Sequence, residues 1–432
     1  MSSSTPSGHP PADARSTTDT SAKRPPQGRR AFLKRSLGAV AAMQGLRIVF
    51  QDRLPPGLIP VALAQSQVPE LAGKEGLIVL GDRPMNAETP AHLLDDDITP
   101  ATRLFVRNNG HPPSVEETDP AKWTLRIDGE SCLRPRTFTL AQLQSEFPVH
   151  SLRLTIECGG NGRAEFNPPA TGNQWTVGAV GCPEWTGVSL ADVMNSCGIS
   201  PTAKYIGYYG ADRHLTGNPD RQAISRGVSI AKALEPESLL AFRMNGADIP
   251  LQNGHPLRLV CSGWPASVSG KWVKRIVIRD RIHDGEKMTG ASYKIPKFPV
   301  QPGTEVPETD LAIIEAMPVK SLITAPRSGS EHPLKTPLEL RGHAWAGDTK
   351  VADVWVSIDF GVTWQRASLS SPANRFAWQR WRLPVTFPTT GYYEAWVRAV
   401  DGLGRSQPMV VPGWNSQGYL NNACHRIALQ IS

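Results

Sequence analysis

The chain has 432 residues, of which 40% are hydrophobic, 46 are Lys or Arg and 39 are Asp or Glu. This length and composition suffice for two folded domains, and they exclude a disordered chain and a bundle of membrane helices. The net charge of +7 suggests nucleic-acid binding, but residues 1–64 hold nine Lys or Arg and three Asp or Glu. The remainder is nearly neutral, so we expect no nucleic-acid partner.

The first 64 residues contain the parts of an export signal. The pair Arg29-Arg30 precedes the apolar stretch Leu37–Leu46, and Ala62-Leu63-Ala64 forms a small-x-small cleavage site. Paired arginines are typical of the twin-arginine route, which carries folded, cofactor-loaded proteins. We therefore predict a twin-arginine signal peptide over 1–64 and a periplasmic protein. The apolar stretch is too short to cross a membrane, so we expect no membrane span in the mature protein.

The mature chain divides into three segments by its local patterns. Residues 65–98 are punctuated by Gly and Pro with few strand signals, which predicts an extended arm from which we expect no chemistry. Residues 99–301 alternate short strand and helix patterns, which predicts an α+β domain. The predicted strands are Leu104–Val106, Leu152–Ile156, Tyr205–Tyr208, Leu257–Cys261 and Val273–Ile278, and the predicted helices are Leu190–Ser196 and Ile230–Leu234.

Residues 302–432 lack helical patterns. Strand patterns recur there at short spacing, which predicts a β-sandwich without an evident disulfide pair. These strands are Leu338–Ala344, Ala352–Ile358, Phe376–Leu383, Tyr392–Val400 and His425–Gln430.

The six cysteines are spaced too widely for the common metal motifs. No Cys-x-x-Cys pair is present, which excludes zinc ribbons, ferredoxin-type clusters and an attached c-type haem. We therefore expect no haem in this chain, and any redox chemistry needs another cofactor.

The sharpest local motif is the alternating stretch Ser151–Cys158, which breaks into the glycine-rich turn Gly159-Gly-Asn-Gly-Arg163. A thiolate held beside backbone N–H groups and a guanidinium suits a soft or high-valent metal, and the guanidinium suits an oxyanion. From residue type alone, Cys158 can equally be a buried small hydrophobic residue, or a nucleophile with a distant His partner. The motif favours the metal ligand without excluding the other two roles.

From about residue 75 onward the chain resembles the sulfite oxidase family of molybdopterin enzymes. Five blocks in the family order carry the resemblance: Leu104–Asn109, Ile156–Arg163, Asn253–Arg258, Ser269–Trp272 and Asn421–Arg426. Within the family, the stretches Trp175–Trp185, Ser262–Trp272 and Met288–Lys294 are most similar to the molybdenum subunit of the Sox sulfane dehydrogenases (sulfur dehydrogenases). The resemblance implies a molybdopterin-binding domain over 99–301 and an immunoglobulin-like dimerisation domain over 302–432, and hence a homodimer.

The resemblance also implies roles for individual residues. Cys158 looks like the thiolate that binds the molybdenum, one metal per chain, beside the pterin dithiolene. Arg107, Arg163 and Arg426 resemble arginines that contact the substrate oxygens, and Tyr293 resembles a phenol that hydrogen-bonds the metal's oxygen ligand. Contacts to the cofactor are implied for Asn109, Asp212, Asn253, Arg258, Ser269 and Lys271. Arg258 and Lys271 suit its phosphate, and Asp212 can accept from pterin N–H groups.

Four positions depart from the sulfite-oxidising members. Those members have His at the positions of Asn109 and Asn253, a second basic residue at Gly162 and Lys at Thr171. A free dianion is best bound by clustered cations, so fewer cations favour a substrate of smaller charge. We therefore predict oxidation of the sulfane sulfur carried on a cysteine of a sulfur-carrier protein during thiosulfate oxidation.

The resemblance further implies a c-type cytochrome subunit, in a heterotetramer, as electron acceptor. The main alternative is a periplasmic dehydrogenase of free sulfite. A methionine sulfoxide reductase would lack the C-terminal β domain, and a cofactor-free β-sandwich scaffold would leave Cys158 structural.

Overall fold

The structure is a computed structural model that describes residues 71–432. The predicted signal peptide and the first six residues of the predicted arm lie outside the described residues. Among residues 71–432, no helix is long and apolar enough to cross a membrane. All six cysteines lie in this part of the chain, and none forms a disulfide.

The predicted arm contains a β-hairpin. Strands β1 (Ile78–Asp82) and β2 (Met85–Glu88) pair antiparallel, and β2 also pairs with β3 (Val106–Arg107). Residues 78–88 are thus part of a three-stranded sheet rather than an extended arm. Arg107 ends its third strand, so this sheet places the first predicted arginine.

A five-stranded sheet forms one side of the N-terminal domain, in the order β11-β10-β15-β4-β5. Only β15 and β4 run parallel. Its strands are β4 (Thr124–Asp128), β5 (Arg136–Thr139), β10 (Tyr205–Gly210), β11 (Gly227–Ser229) and β15 (Val273–Arg279).

A second sheet of the domain contains β6 (Val149–Arg153), β9 (Glu184–Ser189), β12 (Leu239–Met244), β13 (Ala247–Asp248) and β14 (Arg258–Val260). Its order is β13-β12-β9-β6, with β14 paired to β12. One apolar core takes side chains from both five-stranded sheets, including Ile127, Ile276, Val188 and Leu240.

In the described range 71–432, three short α-helices begin at side-chain caps. They are α1 (Leu140–Glu146), α2 (Leu190–Cys197) and α3 (Ile230–Ala233). Thr139 caps α1 in a capping box with Gln142, and Ser189 caps α2. Single 3₁₀ turns lie at Ala91–Leu93, Ala101–Arg103, Glu116–Thr118, Arg163–Glu165, Leu251–Asn253, Ala266–Val268 and Glu308–Asp310.

The predicted strand Leu152–Ile156 is wrong in extent. Strand β6 ends at Arg153, and a separate strand β7 (Ile156–Glu157) pairs with β8 (Val180–Gly181). The amides between them bond elsewhere: that of Leu154 donates to Pro183 O (3.2 Å), and that of Thr155 donates to Phe376 O (2.9 Å). This break turns the chain, so that Cys158 directly follows β7.

The C-terminal part is a β-sandwich, as the sequence predicts, reached through the β16 (Lys294–Pro296) and β17 (Leu311–Ile313) hairpin. One sheet has the order β18-β20-β24-β23, with β18 (Lys320–Ala325), β20 (Leu338–Trp345), β23 (Ser368–Leu369) and β24 (Gln379–Val385). The other has the order β19-β26-β25-β21-β22, with β19 (Ser330–His332), β21 (Val351–Ser357), β22 (Gln365–Arg366), β25 (Gly391–Asp401) and β26 (His425–Ile431).

Apolar side chains alternate inward along these strands and fill the sandwich. Leu340 and Trp381 from one sheet meet Val354 and Ile427 from the other, all buried. The predicted α+β domain followed by a β-sandwich is therefore confirmed. The predicted strand Phe376–Leu383 begins only at Gln379, because Phe376 packs into the N-terminal domain.

Candidate active site

Most of the predicted site residues lie around one cavity, whose empty volume is about 620 Å³ when the open solvent space at its mouth is included. The strand ends and loops that line it come from widely separated parts of the N-terminal domain. Nine of the eleven predicted residues line this cavity: Arg107, Asn109, Cys158, Asp212, Asn253, Arg258, Ser269, Lys271 and Tyr293. Arg163 and Arg426 are not among its lining residues.

Cys158 sits in a tight turn at the end of β7. Its amide donates to Ala179 O (2.9 Å), and its carbonyl accepts from the Asn161 amide (2.9 Å), so both sides of the residue are fixed. The Cys158 side chain is buried but still lines the cavity. Glycine is needed at 162, because its φ is 91° and a Cβ there would meet Asn421. The sequence thus builds a rigid turn that presents one thiol.

Positive side chains form another part of the cavity lining. The Lys271 ammonium donates to Gln252 O (2.8 Å) and to Asn108 Oδ1, and Arg258 donates to Asn253 O (2.8 Å). Burial, followed by the positive charge of Arg258, lowers the pKa of Lys271 well below its usual value. Burial also lowers the pKa of Arg258 to about 10. Like charges held this close favour binding of an anion between them.

Two residues of the cavity lining carry donors without acceptors. Nε of Arg258 and the hydroxyl of Ser267 have no hydrogen-bond partner among the residues that the structure describes. Buried donors are usually satisfied, so these two suit a ligand that brings acceptor oxygens. Asp212 supplies the opposite character, and burial raises the pKa of its carboxyl to about 6 although Lys271 opposes this shift.

The two asparagines are held by cations. Oδ1 of Asn109 accepts from Arg107 (3.0 Å) and Lys287 (3.2 Å). Oδ1 of Asn253 accepts from Lys74 (2.6 Å), while its amide nitrogen donates to Phe105 O (3.1 Å). Their amide oxygens are therefore already engaged. Ser269 is engaged as well, since its hydroxyl accepts from the Cys261 amide (3.1 Å).

Lys74 joins the segment 65–98, from which we expect no chemistry, to the cavity-lining residue Asn253. Its ammonium is buried and donates to Ala101 O (2.7 Å) and Leu104 O (2.9 Å), as well as to Asn253. Burial, with a smaller contribution from Arg258, lowers the pKa of Lys74 to about 7. No local pattern marks this lysine, because its partners lie 27 to 179 residues away.

Arg163 is bound to loop carbonyls and to an aromatic ring and does not line the cavity. Its Nε donates to Gln417 O (2.6 Å) and its Nη1 to Asn173 O (2.9 Å), and its guanidinium lies 5.3 Å from the centre of the Tyr419 ring. Arg426 lies on β26, where its guanidinium is 4.9 Å from the centre of the Trp396 ring. Of the three predicted substrate arginines, only Arg107 lines the cavity.

Sequence reasoning also missed Arg226 and Tyr419. Arg226 is buried and lies over the ring of Tyr293, at 4.3 Å from the ring centre. Tyr419 stacks on the same ring, with 5.4 Å between the centroids. Tyr419 falls two residues before a block that carries the resemblance, which is a weak signal, and nothing in the sequence around Arg226 marks it.

Comparisons with known proteins agree with this arrangement. Residues 111–287 match the family model described as the oxidoreductase molybdopterin binding domain, and residues 311–432 match the Mo-co oxidoreductase dimerisation domain. The chain is 33% identical over 363 residues to sulfite oxidase of Gallus gallus, covering 81% of this chain and 77% of that protein. It is 30% identical to nitrate reductase [NADH] 1 of Phaseolus vulgaris, covering 81% of this chain and 42% of that protein.

A solved structure is similar over nearly its whole length. It is the sulfane dehydrogenase SoxCD from Paracoccus pantotrophus, with a TM-score of 0.66 and 25% sequence identity. The match covers 87% of this chain and 93% of that one.

Proposed function

Because this chain belongs to the sulfite oxidase family of molybdopterin oxidoreductases, we propose that it oxidises the sulfane sulfur that a carrier protein presents on a cysteine during thiosulfate oxidation. The observation that carries this proposal is the small number of expected substrate arginines in the cavity lining. Of the three arginines expected there, only Arg107 lines the cavity. The similarity to a solved sulfane dehydrogenase supports the same substrate class.

The residues around the cavity fit the molybdopterin cofactor. The unpartnered Nε of Arg258 and the crowded ammonium of Lys271 suit the phosphate, and the Asp212 carboxyl suits pterin N–H groups. The Cys158 thiol suits the metal, one per chain. When bound, the cofactor supplies oxygen-atom transfer to sulfur and accepts two electrons.

The chain's own residues then bind and orient the substrate. Phe105, Ile156 and Ile224 form apolar walls of the cavity and exclude water from the uncharged part of the sulfur group. Arg107 offers a single guanidinium to the growing negative charge on the oxidised sulfur. Tyr293 holds a proton at its phenol in the same cavity.

The two candidate substrates differ in their negative charge. Free sulfite near neutral pH is a mixture of the monoanion and the dianion, and clustered guanidinium groups favour binding of the dianion. In this chain the guanidinium of Arg163 is held by two backbone carbonyls, and that of Arg426 contacts Trp396. A persulfide carried on a cysteine has less charge to neutralise, so it is better suited to a cavity lined by only one of the three arginines expected to contact the substrate, Arg107.

The remaining parts of the proposal concern assembly and location. The dimerisation domain over 311–432 supports a homodimer. The proposed electron acceptor is a c-type cytochrome subunit in a heterotetramer, which the sequence resemblance to the Sox sulfane dehydrogenases implies. The arginine pair and the cleavage site in 1–64 support export to the periplasm by the twin-arginine route.

The alternative is oxidation of free sulfite, which the identity to sulfite oxidases favours. The test is elemental analysis for molybdenum, followed on the same sample by cytochrome-coupled oxidation of carrier-bound sulfane and of sulfite. We expect about one molybdenum per chain and a higher kcat/KM on the carrier. Faster turnover of sulfite, with no activity on the carrier, would move the protein to the alternative, and a folded sample without metal would refute both.

A further inference from the structure

Arg226 is a buried cation without an acceptor among residues 71–432. It directly precedes β11, and it is only 1% exposed. Within that part of the chain, none of the three guanidinium nitrogens has a hydrogen-bond partner. Burial lowers the pKa of Arg226, which reflects the loss of hydration. A charge in this position costs stability, since no acidic side chain of residues 71–432 pairs with it.

The contacts that Arg226 does make are aromatic. Its guanidinium carbon lies 4.3 Å from the centre of the Tyr293 ring, within cation–π range. The rings of Tyr293 and Tyr419 are nearly parallel, with an angle of 15° and a centroid separation of 5.4 Å. Arg163 lies 5.3 Å from the Tyr419 ring. A continuous chain of ring-face contacts thus runs from Arg226 through Tyr293 and Tyr419 to Arg163.

These contacts determine where the Tyr293 phenol lies. Its backbone has φ of 53°, an uncommon conformation for a residue with a bulky side chain. No hydrogen bond to another residue of 71–432 holds its hydroxyl, so the ring is positioned through its faces. Tyr419 belongs to the C-terminal domain and stacks on the ring, while Arg226 contacts the ring from the N-terminal domain.

A buried charge without a partner conflicts with the requirements of stability, and such conflicts concentrate at functional sites. We propose that Arg226 is a positioning residue that acts through Tyr293, holding the phenol ring in place over the cavity by its cation–π contact. The proposal rests on the proposed function, in which Tyr293 is a catalytic residue. This role accounts for the unpaired charge of Arg226, which a purely structural role does not explain.

The test compares holoenzymes of the wild type and four variants: Arg226→Met, Arg226→Lys, Tyr293→Phe and the double variant Arg226→Met/Tyr293→Phe. Rates are expressed per bound molybdenum, on whichever of carrier-bound sulfane and sulfite the wild type oxidises faster. The unfolding temperature of each protein is measured beside them. The matched control is Arg136→Met, because Arg136 lies at the same 4.3 Å from the ring centre of Phe138, away from the cavity.

We expect Arg226→Met to lower kcat about 10- to 100-fold, the cost of a misplaced catalytic group, with KM changed less than about twofold. Its unfolding temperature should equal or exceed that of the wild type, because an uncompensated charge is replaced by an apolar side chain. Arg226→Lys should restore part of kcat. In the Tyr293→Phe background, Arg226→Met should change kcat less than about twofold, since the two residues act as one unit.

Three results would overturn the inference. One is the same fold-loss in kcat with and without the Tyr293 hydroxyl, which would make the two residues independent. Another is a marked fall in unfolding temperature for Arg226→Met, which would make Arg226 structural. The third is an equal loss of kcat in Arg136→Met. Wild-type activity on sulfite alone would reject the proposed substrate and leave the variant comparison valid, whereas a wild type active on neither compound rejects both.

Discussion

A buried ion pair joins the Cys158 turn to the C-terminal sandwich. The Glu157 carboxylate, 3% exposed, accepts from the Lys320 ammonium of β18 at 2.6 Å. It also accepts from Nε1 of Trp345 (2.8 Å) and from the Asn161 side chain (3.0 Å). Replacing Lys320 by Met keeps the aliphatic stem and removes only the charge, so Glu157 is left as an uncompensated buried anion beside Cys158.

The expected loss follows from that burial. Breaking a buried ion pair by removing one partner destabilises a protein by about 3–5 kcal/mol. For a cooperative unit of about 360 residues, an unfolding entropy of about 2.1 cal/mol/K per residue gives about 0.75 kcal/mol/K in total. Lys320→Met should therefore lower the unfolding temperature by about 4–7 °C. The double variant Glu157→Gln/Lys320→Met removes the orphaned charge and should recover at least half of that loss.

Differential scanning calorimetry at neutral pH measures these shifts, and molybdenum content per chain reports on the Cys158 turn. Lys335→Met is the control, since Lys335 is exposed and should shift the unfolding temperature by less than about 1 °C. An unchanged unfolding temperature in Lys320→Met would refute the reasoning. A double variant less stable than Lys320→Met would refute it too, because it would show that the negative charge of Glu157 was not the cause.

Three further changes test the cavity and its surroundings. Cys158→Ser should fold normally, but its molybdenum content should fall at least about tenfold, because residues that only support a metal ligand already change metal affinity by about that factor. Metal analysis measures this content, and Cys132→Ser is the control that should keep its molybdenum. Lys271→Met removes a charged donor worth about 1.5–3 kcal/mol, so cofactor retention after gel filtration should fall about 10- to 100-fold. The control is Lys204→Met, since Lys204 is exposed, and an equally small loss in both variants would contradict this prediction. Burial raises the pKa of Glu88 from 4.5 to about 7, so its folded-state proton stabilises the protein at low pH and this contribution is lost as pH rises between those values. Glu88→Gln should therefore flatten the decline of unfolding temperature from about pH 5 to about pH 7.5, and an unaltered profile would show that Glu88 does not titrate as stated.

Local patterns predicted most of the scaffold correctly. Most predicted elements of regular structure lie close to their predicted bounds. They are strands β10, β15, β20, β21, β25 and β26 and helices α2 and α3. The pattern failed at Leu152–Ile156, where apolar alternation continues across Leu154 and Thr155 although their amides bond to Pro183 and Phe376. Alternation records which side chains are buried, and it does not record which backbone groups find a partner outside the strand.

The residues of the candidate site could be predicted from the sequence where they belong to short motifs. Cys158 and its glycines, Tyr293, Arg258 and Lys271 were identified from motif blocks, and the structure brings these four side chains to one cavity. The roles of Arg163 and Arg426 as substrate contacts remain predictions, since neither residue lines that cavity.

The sequence by itself determined the two-part architecture, the thiol-bearing turn and the set of residues that suit a phosphate-bearing cofactor. Only the tertiary structure decided which charges are available in the cavity. Lys74 donates a hydrogen bond to Asn253, which is 179 residues away, and Arg163 donates to a carbonyl that is 254 residues away. Arg226 contacts an aromatic ring and has no acidic partner among residues 71–432. Periodicity and motifs act over a few residues, whereas the partner of a buried charge is chosen by the packing of distant elements.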